Sequence, residues 1–244
     1  MTAECNAAIE GALEAGAQEF VVNDSHMDGR NLDPMELHPA AELVSGSSQL
    51  LSMCAGLSPG FDAAFFIGYH SSVGGADAVI DHTYDPRVVH EVRINGRAQS
   101  EGSLNGAVAG YFGCPLALFT GDAAAVSEMH SFVLTVEGIV VKEGIGRYSA
   151  RSLHPTIARQ RIREGAKRAL ERLGNIPPLR CEGRVDLEVD LLHPVMADVC
   201  ERIPGVERRA ARTIGFVSDD YLQVFKLFLA VSGLGATTLP EPGC

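Results

Sequence analysis

The sequence predicts an α/β fold: a mostly parallel sheet flanked by helices, followed by a smaller C-terminal α+β region. Three stretches, EFVVNDSH (19–26), AAFFIGYH (63–70) and PLALFTGD (115–122), are short runs of strand-forming apolar residues that end abruptly in polar side chains. None alternates, which suits strands buried on both faces, as in a parallel sheet. Helical patterns lie between them, giving the βαβ rhythm of an α/β fold. After about residue 131 the pattern changes to hairpins and isolated helices. The expected division is therefore 1–130 for an α/β region bearing the site and 131–244 for a smaller α+β region that completes the fold and makes oligomer contacts.

In chain order, ECNAAIEGALEAG (4–16) carries small and apolar residues along one stripe and stops at glycine, so it reads as a helix. No strand precedes it, and a βαβ arrangement that opens on its first helix leaves a central sheet position empty or filled by another element. SLNGAVAGYFG (103–113) is a helix before the third apolar run. SFVLTVEGIVVKEGIGRYSARSL (131–153) alternates enough to be strand and hairpin. HPTIARQRIREGAKRALERLG (154–174) is strongly amphipathic, with Ala158, Ile162, Ala166, Ala169 and Leu173 on the apolar stripe. Its arginines form a solvated face or a subunit contact. NIPPLR (175–180) is a linker or turn, RVDLEVDLL (184–192) a half-exposed strand, HPVMADVCERI (193–203) a helix, VERRAARTIGFVS (206–218) a strand, and DDYLQVFKLFLAVSGL (219–234) a buried helix ending at glycine.

Composition narrows the function. The formal net charge of −11 is uneven, with six Lys/Arg against nineteen Asp/Glu in residues 1–150 and fourteen against twelve in the remainder. An acidic half repels phosphate backbones, so a nucleic-acid partner is excluded, while cations such as metals or amines are favoured. No apolar run is long enough for a membrane span, and the first residues lack the order of a signal peptide, so a cytoplasmic protein is expected. Six scattered cysteines without CxxC pairs read as reduced, mostly inert thiols. Neither a Walker A motif nor GxSxG occurs, and the GxG at Gly233–Gly235 has no helix after it.

The remaining chemistry is histidine and carboxylate. His26, His70, His82 and Glu101 follow apolar or glycine-rich segments, and ligands in open parallel sheets bind beyond the carboxyl ends of the strands. That donor mixture suits zinc or a similar divalent metal. Taken singly, each histidine reads as a surface or capping residue; together at successive strand ends they read as a site. Asp24 and Asp122 stand where a cap or turn wants an aspartate. His38, His154 and His193 each precede proline and read as structural punctuation. His90 and His130 have no distinguishing context, and Ser25, Ser71 and Ser72 would be nucleophiles only beside a base.

Several stretches together resemble one known family: VVNDSH, ELHPAAELVSG, FIGYH, the DH of VIDHTYD, INGRAQSEGSLNGAVAGYFGCPLALFTGD and VVKEGIGRYSARSLHP, in one order over roughly residues 1–160. They are similar to the D-aminopeptidases of the dipeptide-operon type, zinc metallopeptidases that form self-compartmentalising rings. The resemblance implies removal of the N-terminal residue from short D-amino-acid peptides or amides. It also implies a dinuclear zinc centre, with His26, His70 and Glu101 matching metal ligands and His82 matching the proposed catalytic histidine. His82 would then be a general acid or base, or would steady the tetrahedral intermediate. A homo-oligomeric decamer of two five-membered rings follows from the same likeness.

One departure stands out. The family opens with a strand bearing Asp-x-Glu-Gly, whose carboxylates are metal ligands, and this sequence starts at the first helix. The expectation is a start codon assigned too late, with the carboxylates encoded upstream; the competing expectation is a short form with a half-built site. Activity of the 244-residue chain is accordingly expected to be impaired. The alternative from another class is a non-catalytic oligomeric homologue that binds one metal or a small ligand.

Overall fold

A computed structural model describes residues 1–47, 49–75 and 77–240. Helix α1 (Thr2–Glu14) leads into strands β1 (Phe20–Asn23), β2 (Ala41–Val44) and β3 (Ala64–Tyr69). The hairpin β4 (Val89–Ile94) and β5 (Arg97–Ala98) precedes α2 (Glu101–Tyr111), β6 (Leu116–Asp122) and α3 (Ala123–Phe132). Then come β7 (Glu137–Gly146), β8 (Ser149–Ser152), α4 (Pro155–Glu171), β9 (Val185–Leu191), α5 (Pro194–Cys200), β10 (Glu207–Arg208), β11 (Thr213–Ser218) and α6 (Tyr221–Ala236).

The strands form a sheet ordered β3-β6-β7-β8, a second ordered β10-β11-β9-β4-β5, and the pair β1-β2. Parallel ladders join β1 to β2, β3 to β6 and β6 to β7; the others are antiparallel. The expected mostly parallel sheet is thus found around β3, β6 and β7, while the larger second sheet is antiparallel throughout. Its central strand shows why. In β9 Val185, Leu187, Val189 and Leu191 are buried, and Asp186, Glu188 and Asp190 alternate with them on a polar face, the signature of a sheet packed on one side only. The expectation that the first and second apolar runs share a sheet is corrected: among the described residues β1 pairs only with β2.

Side-chain alternation fixes the layers around the first sheet. Leu118 and Ile139 meet Gly165 of α4, whereas Phe119 meets Gly102 of α2, and Gly138 lies under Val126 and His130 of α3. Neighbouring strand residues point to opposite faces, so α4 covers one side and α2 and α3 the other. Helix α1 crosses α4 so closely that a Cβ on Gly11 would lie 2.0 Å from the Arg163 carbonyl oxygen. The amphipathic reading of α4 holds, with Ala158, Ile162, Gly165, Ala166 and Ala169 buried; Leu173 falls just beyond the helix and is half-buried. Two of its arginines pair within the chain: Arg163 with Glu10 and Glu14 of α1, and Arg168 with Glu137.

Sheet membership crosses residue 130 in both directions, since β7 and β8 extend the sheet of β3 and β6, and β4 and β5 extend that of β9 and β11. Two apolar cores result, one around β6, β7 and α4 and one around β9, α5 and α6. Helix α2 joins them. Leu104, Ala107 and Val108 enter the second core while Gly102 backs onto Phe119 of the first. Every residue of α2 from Glu101 to Gly110 is buried, which fixes its first turn beside the end of β3.

Two expectations on elements are corrected. VERRAARTIGFVS is not one strand but the β10–β11 hairpin, turning at residues 209–212. The strand-and-hairpin stretch 131–153 takes strand form only from Glu137, since Ser131 and Phe132 end helix α3, which Asp122 begins as its N-cap. Five cysteines, Cys5, Cys54, Cys114, Cys181 and Cys200, are free thiols; Cys244 lies outside the described residues. Burial pushes Cys5 up to about 11 and Cys114 up to about 12, so neither supplies a thiolate near neutral pH. No helix among the described residues is long and apolar enough to cross a membrane.

Candidate metal centre

Strand β3 stops at Tyr69, and His70 follows at the carboxyl end of the parallel ladder with β6. The chain then loops back to His82. The loop needs two left-handed residues that are not glycine, Ile80 (φ 55°) and Tyr84 (φ 61°), one on each side of His82. Such conformations are costly for bulky side chains and persist where surrounding bonds hold them. Those bonds are present. Ser72 donates from its amide (2.9 Å) and its hydroxyl (2.6 Å) to the Glu128 carboxylate of α3, and the Val79 amide donates to Asp122 Oδ2 (3.1 Å). The Tyr84 amide donates to Glu101 Oε1 at 2.8 Å.

Glu101 is the first residue of α2, directly after a capping box formed by Ser100 and Ser103. Its carboxylate is 7% exposed and sits at the positive end of the helix dipole. His70 Nε2 lies 3.5 Å from Glu101 Oε2, and His82 Nε2 lies 3.6 Å from Oε1. The two imidazole rings stack with centroids 4.0 Å apart and planes at 21°. One ligand atom from each of His70, His82 and Glu101 falls within 4.8 Å of the others.

The hydrogen bonds on the far sides of the rings set their tautomers. His70 Nδ1–H donates to the Ser71 carbonyl (3.0 Å) and His82 Nδ1–H to the Ile80 carbonyl (2.6 Å), because a carbonyl only accepts. Each Nε2 then presents a lone pair toward a carboxylate. Lone pair against carboxylate is repulsive unless a proton or cation lies between them, and two imidazoles with one carboxylate are a donor set that zinc takes. Burial alone would pull the His70 pKa down, but the Glu101 carboxylate, the Ser71 carbonyl and the charge of Asp122 outweigh it and hold it above the usual histidine value.

His26 follows β1 and is not part of this group of three. Its Nδ1 lies 3.3 Å from Asn31 Oδ1, and Asn31 is oriented by giving its side-chain amide to Asp24 Oδ1 at 2.9 Å, so Nδ1 carries the His26 proton and Nε2 its lone pair. Asp24, 5% exposed, closes the turn after β1 through the amides of Asn31 and Leu32 (2.7 Å). Burial raises its pKa, yet these hydrogen bonds outweigh that and hold it below the carboxylate range. Asp122 caps α3 by accepting from the Ala125 amide at 2.8 Å. His154 caps α4, and His38 Nδ1 accepts from the Ala40 amide (3.2 Å), so the proline-preceding histidines at 38 and 154 are structural.

The chain matches the D-aminopeptidase family model over residues 1–230. It belongs to the D-aminopeptidase family. A D-aminopeptidase from Bacillus subtilis (strain 168) is 32% identical over 239 residues, covering 98% of this chain and 86% of that one. Among D-aminopeptidases of known structure, the Zn-dependent D-aminopeptidase DppA from Bacillus subtilis, described as a self-compartmentalizing protease, superposes with a TM-score of 0.93 at 31% identity, over 97% of this chain and 86% of that chain.

Several features that build this site lie beyond what the sequence pattern announces. The β4–β5 hairpin that delivers Glu101 turns at Asn95 (φ 50°) and Gly96 (φ 76°), and the Asn-Gly pair is itself the strongest short hairpin signal, the one clue that could have found it. Glu128, Asp81 and Arg147, which fasten the His70–His82 loop, had no such signal, because their partners are distant in sequence.

Proposed function

We propose that this chain is a zinc-dependent aminopeptidase that releases the N-terminal residue of short D-amino-acid peptides or amides. The convergence of His70, His82 and Glu101 on one point is the observation that carries the reading. The likeness to Bacillus subtilis D-aminopeptidase, in sequence and in structure, over nearly the whole chain supports it.

In this reading His70 and Glu101 would hold zinc. Glu101 Oε1 accepts the Tyr84 amide and faces His82, and the family resemblance gives His82 the part of proton carrier. By the family resemblance His26 would supply a further ligand, and two ions per subunit are implied. Zinc bound there supplies Lewis acidity and lowers the pKa of water. His82 Nε2 accepts a proton and returns it to the departing amine, with Nδ1–H fixed on the Ile80 carbonyl throughout. The acidic surface of residues 1–150 draws in the substrate's free amino group. The chain assembles as a homo-oligomer, by resemblance a decamer of two five-membered rings, and works in the cytoplasm.

The test is hydrolysis of D-alanyl amides and their L counterparts by zinc-loaded protein. Preference for the D substrate, with loss of turnover but retention of zinc in His82→Ala, is expected. No hydrolysis of any D-peptide by wild-type protein holding zinc at His70 would point to the non-catalytic alternative.

A further inference from the structure

We propose that Arg147, at the tip of the β7–β8 hairpin, is a positioning residue for His82, because it grips the two residues that immediately precede that histidine. This rests on the reading of His82 as the proton carrier. The Arg147 carbonyl accepts the Ile80 amide at 2.9 Å, and its guanidinium Nη1 lies 2.7 Å from Asp81 Oδ1. Ile80 is the left-handed residue whose own carbonyl receives His82 Nδ1–H at 2.6 Å. Arg147 therefore holds one side of Ile80 while His82 holds the other.

Asp81 makes the grip specific. Its side chain is 8% exposed, and the second oxygen, Oδ2, accepts the Gly74 amide at 2.8 Å, so one buried carboxylate ties the start of the loop, the turn before His82 and the hairpin together. A carboxylate buried this far needs a partner charge, and Arg147 is the cation paired with it. The hairpin also touches the loop directly, since a Cβ on Gly144 would lie 2.0 Å from the Asp77 carbonyl oxygen. Arg147 is itself 44% exposed and stands outside the group formed by His70, His82 and Glu101, so its influence on chemistry runs through the turn.

The experiment is a double-mutant cycle on zinc-loaded protein with a D-alanyl amide, joined to a crystal structure of Arg147→Ala. Arg147→Ala keeps the backbone bond to Ile80 and removes only the guanidinium. Turnover should fall roughly tenfold to a hundredfold, as misplacement of a reacting group does, with KM and zinc content unchanged. Arg147→Lys should recover part of the loss, because a point charge replaces a fork. In the His82→Ala background, Arg147→Ala should cause no further fall. The crystal structure should show His82 Nδ1 parted from the Ile80 carbonyl. An equal fold-loss in both backgrounds, an undiminished kcat, or an intact His82–Ile80 bond would overturn the proposal. If instead His82→Ala alone turns over as fast as wild type, the proton-carrier reading fails, and the crystal structure still decides whether Arg147 sets the ring.

Discussion

Replacing Gly144 with alanine tests how far catalysis depends on the hairpin behind the loop. Gly144 lies within β7, and its φ is not in the left-handed region, so alanine can adopt the backbone and only the new methyl group matters. That carbon would lie 2.0 Å from the Asp77 carbonyl oxygen and 2.7 Å from its carbon. A carbon–oxygen contact relaxes at about 3.3 Å, so the loop must withdraw by about 1.3 Å. Overpacking of this kind lowers stability by about 1–3 kcal/mol. A displacement of about 1 Å at a reacting group lowers the rate by about a hundredfold, equivalent to about 2.7 kcal/mol in the barrier. The assay is kcat on a D-alanyl amide beside thermal denaturation, with Gly146→Ala as control, because a Cβ there meets only Ser149 Oγ at 3.5 Å. Gly144→Ala with wild-type kcat and melting temperature would refute the claim that the hairpin braces the loop.

Other expectations concern stability and metal. Gly233 lies in α6 and is exposed, and a Cβ added there would meet nothing within 4 Å, so Gly233→Ala should stabilise by about 0.5–1 kcal/mol in urea unfolding. Asp190 is partly desolvated, which raises its pKa, but Arg93 (2.9 Å) and Thr213 outweigh this and hold it below the usual aspartate value. Its contribution is therefore present above the unfolded value and fades as pH falls through the folded one. Asp190→Asn should cost about 1 kcal/mol at pH 7, and the gap to wild type should narrow below about pH 3.9. Zinc at about a hundred times its dissociation constant should stabilise the protein by about 2.7 kcal/mol, and chelation should reverse this; in His70→Ala the zinc-dependent shift should shrink or vanish.

Much of the framework was legible because it depends on local pattern. The runs ending at His70 and Asp122 became the parallel pair β3 and β6, and the stripe of α4 was buried nearly as spaced. The β10–β11 turn was not legible, since Arg209 to Arg212 contain no glycine, proline, asparagine or aspartate to mark it. Which strands share a sheet was only partly legible: β1 reads like β3 and β6, yet pairs with β2. At the site, His70, His82 and Glu101 were expected from strand ends and from resemblance, and the fold brings these three together. His26 stands outside that group, beside Asn31. The ties from Arg147 to Asp81 and from Glu128 to Ser72 join segments far apart in the chain, and no periodicity announces such pairs.

The central claim is that His70 and Glu101 share a zinc ion. A crystal structure of zinc-loaded protein, with data collected on both sides of the zinc absorption edge, tests it most directly. The account predicts an anomalous peak about 2.0–2.2 Å from His70 Nε2 and from a Glu101 carboxylate oxygen. Zinc bound elsewhere, with no peak at bonding distance from either residue, would contradict it.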